Sequence, residues 1–389
     1  MNDKATRAAP AQTPSGFKSI ALVLQGGGAL GSYQAGVYEA LAEAGVHPDW
    51  VAGISIGAVN SALIAGNEPE RRVEKLRAFW EKVSEPPLGA FGAHYNPDVK
   101  HINEYVHRAL NQFRAFGIAA WGAPGFFKPR IPSPLVWPLP KPSELSHYDV
   151  SPLQTTLEGL VDFDRINSGR GGRLSVGAVN IRNGNFTYFD TTTHKIDFRH
   201  IMASGSLPPG FPATEIDGEY YWDGGIVSNT PLQWVLDSRP RADTLTFQVD
   251  LWSATGELPR DLSEAEVRLK DIQFSSRTRE ATHQVVNSQR LRRIFRQVYK
   301  HLPEEIRALP EVDILAKESD ESVYNIVHLI YRAKNYEGAS KDYEFSRRTM
   351  EEHWAAGHAA ARKALAHPEV LQRPRNPEGF RIFDFSRDA

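Results

Sequence analysis

The sequence predicts an α/β fold built on a mainly parallel sheet, and three observations carry that prediction. "SIALVLQ" (19–25) is a short, almost continuously apolar run, the pattern of a strand buried on both faces. The first 66 residues then read as strand, glycine loop, helix, strand, tight turn and helix. Further strand-like runs recur at "RLSVGAVNIRNG" (173–184), "NFTYFDT" (185–191) and "TLTFQVDLW" (244–252), with helical stretches between and after them.

Each element has a local reason. The glycines of "VLQGGGALG" end the first strand, and from Tyr33 to Ala44 apolar positions fall at helical spacing until Gly45 stops the helix. "DWVAGIS" is the second strand, and "IGAVNSALIAG" a small-residue helix closing at Gly66. Residues 68–83 read as helical. From Pro86 to Pro152 prolines recur among aromatics, as in "GAPGFFKPRIPSPLVWPLPKP", which argues against a long helix or central strand and for an excursion from the sheet. Asn183-Gly184 is a hairpin turn signal. Beyond Pro259 the chain becomes charged and helical. There 281–302 has one apolar face with Arg290, Arg292, Arg293, Arg296 and Lys300 mostly off it, "VYNIVHLIYR" reads as a late strand, and 344–365 as a helix.

Composition narrows the function classes. The 389 residues, 41% of them hydrophobic, suffice for one large α/β domain with additions. A formal net charge of -2 gives no bulk attraction to nucleic acid, and none is expected as a partner. With no cysteine there is no disulfide, thiolate nucleophile or thiolate metal site, and the histidines show no metal-ligand spacing, so no metal is expected. Residues 1–17 are polar and rich in small residues without a signal-type apolar core, which reads as a disordered lead and a cytoplasmic protein. No apolar run is long enough to span a bilayer, although peripheral contact with a membrane stays open.

The chemistry turns on two glycine motifs. Gly26-x-Gly28-x-x-Gly31 spells a dinucleotide fingerprint, but that site needs an acid at the end of the second strand. A serine stands there instead. Gly53-x-Ser55-x-Gly57 between strand and helix is the nucleophile-elbow pattern, in which small flanking residues permit the strained turn that exposes a serine hydroxyl. Gly26, Gly27 and Gly28 then have a role as backbone N–H donors to an oxyanion, since without a Cβ they allow a substrate carbonyl to approach closely.

"GGGALG", "GISIG", "ASGSLPPGFP" and "DGG" (223–225) occur in the order found in patatin-like phospholipases, and the chain resembles that family over about residues 18–250. The tail around "SKDYEFSRRTMEEHW" is similar to a C-terminal extension of a bacterial subgroup. The resemblance implies a three-layer α/β/α sandwich with a mainly parallel sheet. It spans 18–255 including the insertion at 86–152, and a mainly helical extension follows at 256–389. It implies a serine acyl hydrolase acting on lipid esters, with Ser55 as nucleophile, Asp223 as base and no histidine, a mechanism that needs no cofactor. One departure is Leu30, where the family commonly carries Arg or Lys; the backbone donors survive but a positive charge is lost. The residues themselves leave two rivals open: a Ser-Asp-His triad using His283 or His328, and a lipid-binding protein on an inactivated scaffold. The 113–140 segment and the basic face from Arg290 to Lys300 leave two readings open, a contact with a lipid surface and an ordinary solvated face.

Overall fold

The computed structural model describes residues 16–86, 104–132, 141–275, 278–334 and 337–385, with the side chains of 104–109 and 278–283 outside that description. The expected disordered lead thus falls almost wholly outside the described residues.

The chain opens with β1 (Ser19–Leu24), α1 (Ser32–Glu43), β2 (Trp50–Ile54), α2 (Ile56–Ala65) and α3 (Arg72–Val83). Next come α4 (Glu104–Trp121), the short pair β3 (Lys128–Pro129) and β4 (Tyr148–Asp149), α5 (Ser151–Leu160) and α6 (Phe163–Asn167). The middle of the chain forms β5 (Arg173–Asn180), β6 (Phe186–Asp190), α7 (Phe198–Ser204), β7 (Thr214–Ile216), β8 (Glu219–Asp223), α8 (Leu232–Asp237) and β9 (Thr244–Asp250). The remainder holds α9 (Leu262–Phe274), α10 (Thr278–Tyr299), α11 (Glu304–Arg307), α12 (Pro310–Glu318), β10 (Tyr324–Ile330), α13 (Arg347–Leu365) and β11 (Phe380–Asp384).

One sheet runs β11-β10-β9-β1-β2-β5-β8-β7, with β6 on the other edge of β5. The run from β11 to β5 is parallel; β6, β7 and β8 join antiparallel. Side-chain alternation along β1 explains the layers. Ile20, Leu22 and Leu24 enter a large core with α1, α2, α3 and α13, whereas Ala21 and Val23 enter a second core with Leu232, Leu236 and Val285 of α8 and α10. A strand buried on both faces is what the apolar run demanded, and helices on each side complete three layers.

The last third of the chain is packed into this body. A Cβ on Gly36 would fall 1.9 Å from the Trp354 carbonyl oxygen, and one on Gly357 1.9 Å from that of Tyr33. Only paired glycines let α1 and α13 approach so closely. Among the described residues beyond 255, the chain carries α9 to α13 and also lays β10 and β11 on the sheet; β11 was not foreseen. The Pro-rich stretch differs from expectation too. The 18-residue helix α4 fits between Pro97 and Pro124, a proline-free interval that the average composition of 86–152 conceals.

Candidate active site

Strand pairing brings Ser55 and Asp223 together. Ile54, the last residue of β2, pairs with Gly177 of β5, and the next β5 residue, Ala178, pairs with Asp223 at the end of β8. Because β6 occupies the other edge of β5, β8 takes up the edge where β2 stops. The serine after β2 therefore faces the aspartate that ends β8.

Ser55 has φ 55° and ψ -122°, a left-handed region that a residue with a Cβ enters at a cost of about 1–3 kcal/mol. The flanking glycines make the turn possible. A Cβ on Gly53 would lie 2.2 Å from the Gly57 carbonyl oxygen, and one on Gly57 2.3 Å from that of Leu24. The turn is pinned on both sides of the serine. Its N–H donates to Ser204 Oγ at 2.9 Å, and its carbonyl accepts from Ala58 N–H at 2.9 Å at the start of α2. That helix directs its positive end at the site.

Asp223 is buried, and the Ser55 side chain lies close enough to draw its carboxyl pKa down. Its Oδ1 also accepts from Gly225 N–H at 2.7 Å. Burial dominates all the same and pushes the carboxyl up to about 7, against the pull of those two groups. A glycine again serves close approach: a Cβ on Gly224 would lie 2.5 Å from the Gly177 carbonyl oxygen.

The glycine loop is held from behind. Gly26 turns its N–H to Asn229, 3.2 Å from Oδ1, while its carbonyl accepts from Asn229 Nδ2 at 3.1 Å and Trp252 Nε1 at 2.8 Å. Of the three glycines expected to offer amides, Gly26 is therefore engaged within the protein. In a planar trans peptide the carbonyl and the following N–H point in opposite directions, so fixing the Gly26 carbonyl fixes the Gly27 N–H away from Asn229. Among the described residues the Gly27 and Gly28 amides have no hydrogen-bond partner. Ala29 N–H donates to the Asp342 carbonyl at 2.8 Å, and a Cβ on Gly28, at φ +55°, would meet that oxygen at 2.1 Å. Leu30 is fully buried in the large core.

Ser55, Asp223 and Gly26 to Gly28 border one cavity of about 470 Å³. Its walls are apolar: Ile56, Val59, Phe126, Phe127, Phe211 and Phe345 are typical. Ile118 of α4 also lines it, so part of the Pro-rich excursion walls the site, as do Tyr343 and Phe345 from the C-terminal region. No described lining residue is His, Lys or Arg. His328 lies on β10 outside the lining, and the His283 side chain lies outside the described residues. No group of residues suited to hold a metal occurs among those described.

The sequence missed Ser204, Asn229, Trp252 and Asp342. "ASGSLPPGFP" flagged the first by resemblance without a role, while the others reach the loop from 203, 226 and 313 positions away in the chain. No local spacing announces such contacts.

The described residues thus form a mainly parallel α/β sheet with a strained serine turn beside a buried aspartate. The family model for patatin-like phospholipases matches residues 22–236, more than half the chain, and the chain belongs to that family. A second model, described as patatin phospholipase, matches 272–377. Among curated proteins the chain is similar to patatin-like phospholipase domain-containing protein 6 of Homo sapiens, 46% identical over 74 residues, covering 18% of this chain and 5% of that protein. It is also similar to lysophospholipase nte1 of Aspergillus terreus, 56% identical over 48 residues, covering 12% and 3%. The aligned stretches are thus a small part of these much longer relatives. The solved structure of VipD from Legionella pneumophila aligns over 92% of this chain and 69% of its own at 15% identity, with a TM-score of 0.38.

Proposed function

We propose that this chain hydrolyses acyl esters of lipids through a Ser55–Asp223 dyad, with the amides of Gly27 and Gly28 as oxyanion donors. The observation that carries the reading is a serine held in a strained turn against a buried carboxyl at the wall of an apolar cavity. As Ser55 Oγ attacks the ester carbonyl carbon, Asp223 takes its proton, and the glycine amides stabilise the oxyanion. Collapse breaks the bond to the alcohol oxygen, which leaves with the proton from Asp223. Water then attacks the acyl-enzyme, Asp223 takes its proton, and the fatty acid departs as Ser55 regains its hydrogen. The apolar walls suit an acyl chain, and the absence of cations among the described lining residues leaves a charged head group outside. The names of the relatives, phospholipase and lysophospholipase, support a phospholipid ester as substrate. Purified protein incubated with phosphatidylcholine, lysophosphatidylcholine, diacylglycerol and a short p-nitrophenyl ester is expected to release fatty acid from at least one. Release from none contradicts the reading. His283→Gln and His328→Gln are expected to keep most of that activity; a loss matching Ser55→Ala in either replaces the dyad with a triad.

Peripheral contact with lipid is part of the same proposal. In α4, Ile118 faces the cavity while Phe113, Phe116 and Trp121 are exposed by 67%, 71% and 56%, so one helix joins the cavity wall to an outward aromatic face. Aromatic side chains favour the membrane interface. The basic face of α10 is less available than its sequence implied. Arg292 lies 3.4 Å from Asp237, Arg293 donates to the backbone carbonyls of Glu321 and Pro377, and Lys300 pairs with Glu321. No helix among the described residues is long and apolar enough to cross a membrane. Changing Phe113, Phe116 and Trp121 together to Ser is expected to lower co-sedimentation with phosphatidylcholine vesicles several-fold. Unchanged sedimentation contradicts the aromatic contact.

A further inference from the structure

The segment "ASGSLPP" touches both members of the dyad within three residues. Ser204, the last residue of α7, is fully buried; its hydroxyl donates to the Gly177 carbonyl at 2.6 Å and accepts the Ser55 N–H at 2.9 Å. One hydroxyl can do both, having one proton and two lone pairs. It thus bridges the first N–H after β2 to the β5 residue that pairs with Ile54, the register position where the ladder between these strands gives way to the turn. Two residues on, the Ser206 carbonyl accepts the Asp223 N–H at 3.0 Å. The next residues, from Leu207 to Phe211, line the cavity.

We infer that Ser204 is a positioning residue for the nucleophile: its hydroxyl satisfies the Ser55 N–H only while Ser55 keeps the left-handed turn that aims its oxygen at Asp223. This rests on the reading of Ser55 as nucleophile. Without that acceptor the turn loses a bond that rewards its strain, and the serine relaxes away from the aspartate. A group of this kind acts on the rate of attack and leaves substrate binding in the apolar cavity unaltered.

The test uses the full chain as wild type, Ser204→Ala and Ser204→Cys, the latter near-isosteric with a sulfur that accepts poorly. The rate of fluorophosphonate labelling at Ser55, mapped by mass spectrometry, is measured beside kcat and KM for p-nitrophenyl butyrate, well below the melting temperature of each protein. Labelling rate and kcat are expected to fall together by about 10- to 100-fold, with KM within about twofold of wild type. A merely structural role lowers the melting temperature while folded protein reacts at the wild-type rate, and that result in either variant overturns the inference. Should Ser204→Ala not fold, Ser204→Cys decides in the same way. If wild type carries no adduct on Ser55, the catalytic reading fails instead, and the two failures stay distinct.

Discussion

Asp223→Asn is expected to reduce ester hydrolysis to near background while making the protein more stable above neutral pH. The two effects have one cause. Burial raises the Asp223 carboxyl to about 7, so the fold favours its neutral form. A folded-state pKa above the unfolded value contributes stability that is fully present below the ordinary carboxylate range near 4, and that stability is lost as pH rises through about 7. By pH 8 the wild type has therefore lost an amount of the order of 4 kcal/mol relative to pH below 4, from a shift of that size, and the asparagine variant does not share that loss. The melting-temperature difference between variant and wild type is expected to be largest above pH 7 and to shrink as pH falls. Activity runs the other way. A general base must be deprotonated, so the wild-type rate should rise with pH through about 7 and the asparagine variant should show no such limb. A variant no more stable than wild type at pH 8, or one that keeps the rising limb, contradicts this account of Asp223.

Ser55→Ala has the larger effect on catalysis. Removing a nucleophile that works as a unit with its base is expected to cost about 10,000-fold or more in kcat, leaving what the oxyanion donors and binding alone supply. The fold should survive. Alanine retains the Cβ that the turn already accommodates, and the Ser55 N–H still meets Ser204 Oγ. Because alanine pays the same left-handed penalty as serine, the melting temperature is expected to stay close to wild type. A strongly destabilised variant contradicts the view that the backbone, and not the hydroxyl, is what the surrounding groups hold.

How much of this was legible in the sequence depends on the distance over which each residue acts. Ser55 was legible because its requirements are local: Gly53 and Gly57 are the residues whose Cβ atoms the turn cannot admit, and they lie two positions away on each side. β1 was legible because an uninterrupted apolar run has to be buried on both faces. Asp223 needed the family resemblance, since an Asp-Gly-Gly turn after a strand does not reveal that its strand will dock where β2 ends. Asn229, Trp252 and Asp342 were illegible for the same reason carried further. They fix the glycine loop through contacts between distant parts of the chain: Asn229 draws the Gly26 amide inward, Asn229 and Trp252 hold its carbonyl, and the Asp342 carbonyl takes the Ala29 N–H. α4 was hidden by averaging over a proline-rich region, and β11 by lying late in a stretch dominated by charged helices.

The proposed hydrolysis requires Ser55 to act as the nucleophile beside Asp223, and the most direct measurement is the site and pH dependence of covalent modification. Wild-type protein treated with a fluorophosphonate and digested is expected to carry one adduct, on the peptide containing Ser55, formed at a rate that rises with pH through about 7 as Asp223 deprotonates and that collapses in Asp223→Asn. An adduct on another serine, or a Ser55 adduct whose rate is indifferent to Asp223→Asn, would contradict it.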